Sequence, residues 1–180
     1  MIVIKRRYTA APIKHAVVSI FDLFSIGIGP SSSHTVGPMR AAKIFVKDLA
    51  DLKMIPKVSS LRVDIYGSLA MTGVGHGTPN AIIMGLQGET PEAIDPTTIN
   101  RRIVDIKSSS CLKVNGKHQI SFDPSKHLVF HFGTFLPKHP NGMRFTAFDK
   151  QGDMVATNEF FSVFIMNNYR LGVVLLLMNL

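Results

Sequence analysis

Cysteine is almost absent from this sequence of 180 residues, which contains only Cys111. A single cysteine cannot form an internal disulfide, so the disulfide-stabilised secreted class of protein is excluded. The chain also lacks a Walker loop, a dinucleotide-binding fingerprint and a pyridoxal-lysine signature. We therefore expect a protein of a reducing compartment, with a cytoplasmic location and none of these three common cofactor motifs.

Long apolar runs and basic stripes are missing as well. The apolar stretch at residues 171–180 has ten residues, whereas a membrane-spanning helix needs about 20. The formal charge of +8 is uneven, because residues 1–18 hold four basic residues and no acid, leaving 16 basic and 12 acidic residues elsewhere. No basic stripe interleaved with aromatic residues remains. Neither a membrane nor a nucleic acid is expected as a partner.

Metal-ligand spacing is also lacking. Five histidines stand in patterns that match no metal site, and Cys111 is expected to be structural. These histidines are His15, His118, His127, His131 and His139. The sequence therefore predicts no metal site in this chain.

What the sequence does contain is a loop dense in hydroxyls and an imidazole, at residues 27–38. Apolar residues at helical spacing follow it and predict a helix over residues 38–53. A loop that opens a helix leaves backbone N–H groups free, which suits a carboxylate or a phosphate, and His34 adds a group that carries a proton near neutral pH. The simpler alternative is that Ser33 or Thr35 only caps the helix. Capping needs one hydroxyl and this loop has four, so we favour a functional loop. Its hydroxyl residues are Ser31, Ser32, Ser33 and Thr35.

Two further residues could take part in chemistry. His76 stands between two glycines, directly before a helix predicted over residues 79–87, and an imidazole suits general-base work at neutral pH. The alternative is an exposed loop histidine without a function. Asn141 lies in a Pro-Asn-Gly sequence, which is first of all a turn, and most such asparagines do nothing more.

The periodicity along the chain predicts an α+β fold. Strict alternation predicts a strand over residues 61–66, followed by a loop that carries His76, and Asp95-Pro96 opens a helix that runs to about residue 107. Later segments are expected to be antiparallel strands, at residues 112–114, 118–122, 128–132, 143–148 and 154–163. With helices early and strands late, the prediction is a two-layer α/β sandwich with a mainly antiparallel sheet.

Several blocks of the sequence resemble a known family. They are residues 19–24, 27–38, 64–69, 72–78, 81–86, 141–143 and 160–163. In this order they resemble the N-terminal β-chain domain of the bacterial iron–sulfur L-serine dehydratases. The resemblance covers residues 19–163 and includes unusual strings such as the Ser/His loop and Thr-Gly-Val-Gly-His-Gly-Thr, so it is specific.

The resemblance implies an L-serine ammonia-lyase, which converts L-serine to pyruvate and ammonia by β-elimination. It implies catalytic roles for His76, as the base, and for His34. It implies contact with substrate for Ser31, Ser32, Ser33, Thr35 and Asn141. A [4Fe–4S] cluster is held by several cysteine thiolates, so the family's cluster would lie in a second, all-helical α domain or subunit. This chain alone would then bind no cofactor and be inactive, and it would be expected to form a homo-oligomer.

Two alternatives remain open. A related sandwich resembles the effector-sensing domain of certain phosphoglycerate dehydrogenases, so the chain could bind serine or another anion without turnover. It could also be a truncated, inactive remnant. The choice between serine and threonine stays open, because one methyl group is worth only about 1–3 kcal/mol in a pocket.

Both ends of the chain depart from the family pattern. Residues 1–18 form a basic extension that could be a transit peptide, a misassigned start or a cloning-derived addition. Residues 164–180 form an apolar tail that could be a packed strand, a loose end or the translation of a damaged gene. We expect the tail to mark a truncated or frameshifted form of a longer enzyme.

Overall fold

A computed structural model describes the fold for residues 29, 31–167 and 170–178. It begins with a π-helical turn, Ser32–Val36, that leads directly into helix α1, Gly37–Asp51. The later elements are a short 3₁₀ turn Ile55–Lys57, β1 Ser60–Tyr66, α2 Gly67–Thr72, α3 Thr78–Leu86, α4 Pro96–Ser109, β2 Cys111–Val114, β3 His118–Ser121, α5 Pro124–His127, β4 Leu128–His131, β5 Gly142–Phe148, β6 Met154–Asn167 and β7 Arg170–Met178. Residues 19–22, whose Ser-x-x-Asp sequence predicts a short capped helical turn, lie outside the described residues.

The main sheet has five strands in the order β4-β1-β5-β6-β7, and β2 and β3 form a separate antiparallel hairpin. Three of the four pairings in the main sheet are antiparallel, which confirms the predicted α+β class with a mainly antiparallel sheet. Residues 170–178 of the apolar tail form β7 beside β6.

Two local predictions were wrong. Strand β4 was expected to be antiparallel, but it pairs parallel to β1. The helices and the hairpin between these two strands form a long crossover, which brings the chain back to the same end of the sheet. In addition, the loop expected after β1 begins with the short helix α2, because Gly67 adopts a φ of +54° that turns the chain sharply at the strand end.

The core lies between one face of the sheet and helices α1 and α3. Alternate residues of β1 (Leu61, Val63 and Ile65) are buried on this face, as the alternation predicted. Phe145 and Phe160 meet edge to face, with ring centroids 5.3 Å apart, and both are fully buried. Each such side chain contributes about 1.5–3 kcal/mol through burial. Among the described residues, no helix is long and apolar enough to cross a bilayer.

Asn158 is an exception within this core. It lies on β6 with an exposed fraction of 1%, and neither side-chain amide atom has a hydrogen-bond partner within the part of the chain that the structure describes. An unpaired buried polar group costs about 1–3 kcal/mol. We therefore expect Asn158→Ala to raise the free energy of unfolding by about 1 kcal/mol in urea titrations, after the loss of packing is subtracted.

Asn141→Ala is the matched control for this prediction. The amide of Asn141 is paired, because its Nδ2 donates to the carbonyl of Ser162 at 3.1 Å. The same substitution should therefore lower the free energy of unfolding by about 1 kcal/mol. Two changes of the same sign, each taken after the loss of packing is subtracted, would contradict the interpretation of Asn158.

Candidate functional site

The Ser/His loop is organised by Ser31. Its hydroxyl accepts a hydrogen bond from the backbone N–H of His34 at 3.2 Å, and its carbonyl accepts from the N–H groups of Thr35 and Val36 at 2.9 and 3.4 Å. The cap is therefore Ser31 and not Ser33 or Thr35, because the wide π-helical turn starts the helical segment before α1.

The expected set of free backbone N–H groups is not found at residues 34–36, since Ser31 satisfies all three. Pro38, in the first turn of α1, has no N–H to offer. The loop is thus a weaker backbone anion pocket than its sequence predicted. Recognition of a ligand falls instead to the side chains of the loop.

His34 is held between serine hydroxyls on both sides of its ring. Its Nδ1 lies 2.9 Å from Ser33 Oγ and 3.4 Å from Ser31 Oγ, and its Nε2 lies 3.1 Å from Ser68 Oγ. The hydroxyl of Thr78 donates to the His34 carbonyl. These contacts fix the orientation of the His34 ring and surround it with hydroxyl groups that can donate or accept hydrogen bonds.

The pKa of His34 lies below its ordinary value of 6.5. Desolvation by burial lowers the pKa most, and the nearby charge of His76 lowers it further, against a hydrogen bond to Ser68 that raises it. Burial and the neighbouring charge therefore both favour the neutral form of the His34 imidazole.

This shift makes the stability of the protein depend on pH. The unfolded chain takes up a proton at His34 more readily than the folded chain, so stability rises with pH from the lowered folded pKa up to 6.5. We expect the urea midpoint to fall as the pH is lowered from about 7.5 to about 5.5, and His34→Gln to remove part of that fall. An unchanged pH dependence in His34→Gln would contradict the lowered pKa.

His76 lies in the turn between α2 and α3, with its ring centroid 5.0 Å from that of His34. Its Nδ1 lies 2.9 Å from the carbonyl of Thr72. A carbonyl only accepts, so Nδ1 carries the hydrogen and Nε2 carries the lone pair in the neutral ring. The hydroxyl of Thr35 donates to the His76 carbonyl at 2.7 Å. His76 is thus oriented from both ends, with Nε2 as its basic atom.

Asn141 reaches the same region indirectly. Its side-chain Nδ2 donates to the Ser162 carbonyl, and the Ser162 N–H donates to the Asn141 carbonyl at 3.0 Å. The hydroxyl of Ser162 then donates to the Ser33 carbonyl at 2.7 Å. On the other side, the Ser68 N–H donates to the Pro140 carbonyl at 3.0 Å. The turn that contains Asn141 therefore supports both the Ser/His loop and Ser68.

The structure thus groups most of the predicted residues. Ser31, Ser33, His34 and His76 lie together, and Asn141 is linked to them through Ser162. Thr35 is buried, with its hydroxyl directed to the His76 carbonyl, and Ser32 is exposed on the loop.

Sequence reasoning assigned no role to Ser68, Ser162 or Thr78. Each contacts the loop from a distant part of the chain, so no local pattern marks it. The available signal was that all three lie within blocks that resemble the family, at residues 64–69, 72–78 and 160–163.

Comparison with known proteins shows which family this chain resembles. Residues 19–168 match the family described as the serine dehydratase beta chain. The chain belongs to the serine dehydratase beta chain family. Over 146 residues it is 48% identical to an L-serine dehydratase of Streptomyces coelicolor, covering 81% of this chain and 32% of that protein. Over 160 residues it is 41% identical to L-serine dehydratase 1 of Escherichia coli, covering 87% and 35%.

The chain spans about a third of the length of these curated relatives. An L-serine dehydratase of Mycobacterium tuberculosis is similarly related, at 47% identity over 146 residues and 32% of its length. The relatives are named L-serine dehydratases, and this chain corresponds to one part of them.

The residues of this chain do not fit an iron–sulfur cluster. Such a cluster needs several cysteine thiolates, and the whole sequence has one. Within the described ranges, no three His, Cys, Asp or Glu residues are grouped closely enough to hold a metal ion. The side chains around His34 and His76 are instead hydroxyls, which suit hydrogen bonding to an organic ligand.

Proposed function

We propose that this chain is the substrate-holding and base-supplying portion of an L-serine ammonia-lyase, which converts L-serine to pyruvate and ammonia. The observation that carries the proposal is the pair of imidazoles 5.0 Å apart, in which His76 is oriented with a basic Nε2 and His34 is surrounded by serine hydroxyls. The relatives named L-serine dehydratase support the choice of reaction and substrate.

His76 would act as the general base. β-Elimination from serine requires removal of the α-proton, and the Nε2 lone pair of His76 would take it. The bond from Nδ1 to the Thr72 carbonyl keeps this tautomer and stabilises the imidazolium that forms. A positioned general base contributes about 10²–10⁴-fold to a rate.

His34 and the serines would hold the substrate. Ser31, Ser32 and Ser33 carry hydroxyls on one loop, and neutral His34 can both donate and accept hydrogen bonds. A neutral His34 also leaves His76 free to take up a proton without a second positive charge beside it. Thr35 and Asn141 would position these groups, through the His76 carbonyl and Ser162 respectively.

The remainder of the enzyme would lie outside this chain. The group that activates the leaving hydroxyl would belong to a cluster-bearing α domain or subunit, as in a complete enzyme of this family. In this proposal the assembled enzyme is a cytoplasmic homo-oligomer, and this chain by itself does not turn over serine.

A chimera tests the proposal. Residues 19–163 would replace the matching segment of the Streptomyces coelicolor L-serine dehydratase, which is 48% identical. We expect pyruvate to form from L-serine, with little activity from the chain alone. A folded, cofactor-loaded chimera that forms no pyruvate would contradict the proposal.

A binding domain without turnover is the second candidate. It is favoured by one observation, the engagement of both His34 ring nitrogens by serine hydroxyls, since such a ring suits ligand recognition. Calorimetric titration of the isolated chain with L-serine distinguishes the two. Saturable binding together with an inactive chimera would support this second candidate.

A further inference from the structure

The face of the sheet that points away from the helices carries a polar cavity. Side chains alternate across the sheet, and the register sets Arg62 opposite Thr146 and Arg144 opposite both Asp64 and Glu159. The cavity has a volume of about 550 Å³, within the range of small-molecule sites. Its lining residues outside the charged pairs are Tyr66, His131, Thr146, Phe148, Met154 and Thr157.

Two arginine–carboxylate pairs shape this cavity. Nε and Nη2 of Arg62 donate to Asp64 Oδ1 at 3.1 and 2.6 Å, and the same atoms of Arg144 donate to Glu159 Oε1 at 3.1 and 2.6 Å. Each guanidinium thus binds its carboxylate through the edge that carries Nε and Nη2. Its Nη1 atom has no hydrogen-bond partner among the residues that the structure describes.

The accessible charge of this face is positive. The side chains of Asp64 and Glu159 are 7% and 10% exposed, whereas those of Arg62 and Arg144 are 48% and 33% exposed. The carboxylates therefore lie beneath the guanidiniums. A solute that enters from water meets the cations first.

An aromatic stack fixes one wall. The rings of Tyr66 and His131 are nearly parallel, with centroids 4.5 Å apart, and the guanidinium carbon of Arg144 lies 5.9 Å from the centre of the Tyr66 ring. His131 Nε2 lies 2.6 Å from Asp64 Oδ1. Arg144 and Asp64 are thus held in place before any ligand arrives, which reduces the entropic cost of binding.

We propose that this cavity binds a small oxyanion, a carboxylate or a phosphate, through the Nη1 edges of Arg62 and Arg144. Planar guanidinium edges match both kinds of oxyanion. The buried carboxylates balance the arginine charges in the empty site, so the anion need not displace them. The cavity is separate from the His34–His76 pair, and binding here does not depend on the proposed lyase function.

Calorimetric titration of the 180-residue chain tests this site, with inorganic phosphate and malonate as probes at pH 7 and constant ionic strength. We expect saturable 1:1 binding of at least one probe, and the stronger one identifies the class of anion. Arg62→Gln should weaken binding at least about tenfold, because it removes one charged edge. Arg62→Lys is the second variant, for use if Arg62→Gln does not fold. It keeps the positive charge but loses the planar pair of N–H donors, and it should weaken binding about threefold or more.

Arg101→Gln is the matched control, because Arg101 is exposed on α4 and does not line the cavity. Its affinity for the probes should equal that of the unmodified chain. The absence of saturable binding by both anions would overturn the proposal. So would equal weakening in Arg62→Gln and Arg101→Gln, which would indicate only a general effect of net charge.

Discussion

His76→Ala is expected to lower kcat for L-serine by about 10²–10⁴-fold in the chimeric enzyme. Of the two imidazoles, only that of His76 has an Nε2 without a hydrogen-bond partner among the described residues. The substitution removes this imidazole. The α-proton would then have no positioned acceptor. Pyruvate formation, followed at saturating L-serine, measures the loss directly.

The loss should appear in kcat more than in KM, since the serine hydroxyls and His34 would still hold the substrate. The pH profile of the residual activity should also lose the limb that reports the essential base. His118→Gln is the matched control, because His118 contacts the Val58 carbonyl on another part of the surface. Unchanged turnover in a folded His76→Ala enzyme would eliminate His76 as the base.

Gly67→Ala should destabilise the fold by about 2–5 kcal/mol in urea unfolding. Gly67 has a φ of +54°, in the left-handed region that disfavours side chains. An added Cβ would lie 2.3 Å from the Pro140 carbonyl oxygen and 2.7 Å from Phe135 Cδ1. The backbone on one side must move, and Ser68, whose N–H bonds to Pro140, would move with it.

Gly133→Ala separates backbone strain from the close contact. Gly133 has a similar φ of +73°, but an added Cβ would meet nothing within 4 Å. Gly133→Ala should therefore lower the free energy of unfolding only by the backbone strain, about 1–2 kcal/mol. In the chimera, Gly67→Ala should also reduce activity through displacement of the Ser68 hydroxyl from His34, while Gly133→Ala should not. Equal losses in both variants would show that the close contact has no effect.

The elements of the fold were largely predictable from local patterns. The helix predicted over residues 38–53 is α1 at Gly37–Asp51, and the alternating strand predicted at residues 61–66 is β1 at Ser60–Tyr66. Helical spacing, Pro near the helix start and strict alternation are properties of neighbouring residues. The direction of β4 was not predictable, because it depends on the path of the whole crossover.

The sequence singled out the residues of the candidate site but not their contacts. The loop with His34 and the glycine-flanked His76 stood out by composition and by resemblance to a family. Nothing local indicated that Ser68 would contact His34, or that Ser162 would link Asn141 to Ser33. The use of the backbone N–H groups by Ser31 also came only from the geometry of the π-helical turn.

By itself, the sequence determined the α+β class, the family and the residue types available for chemistry, because these depend on periodicity and on recognisable strings of neighbouring residues. Only the tertiary structure decided which nitrogen of His76 is basic, why the pKa of His34 is lowered and that two arginines line one cavity on the opposite face of the sheet. These properties depend on distances between residues far apart in the chain, and on the burial that packing imposes on them. Neither these distances nor this burial can be deduced from a pattern of neighbouring residues.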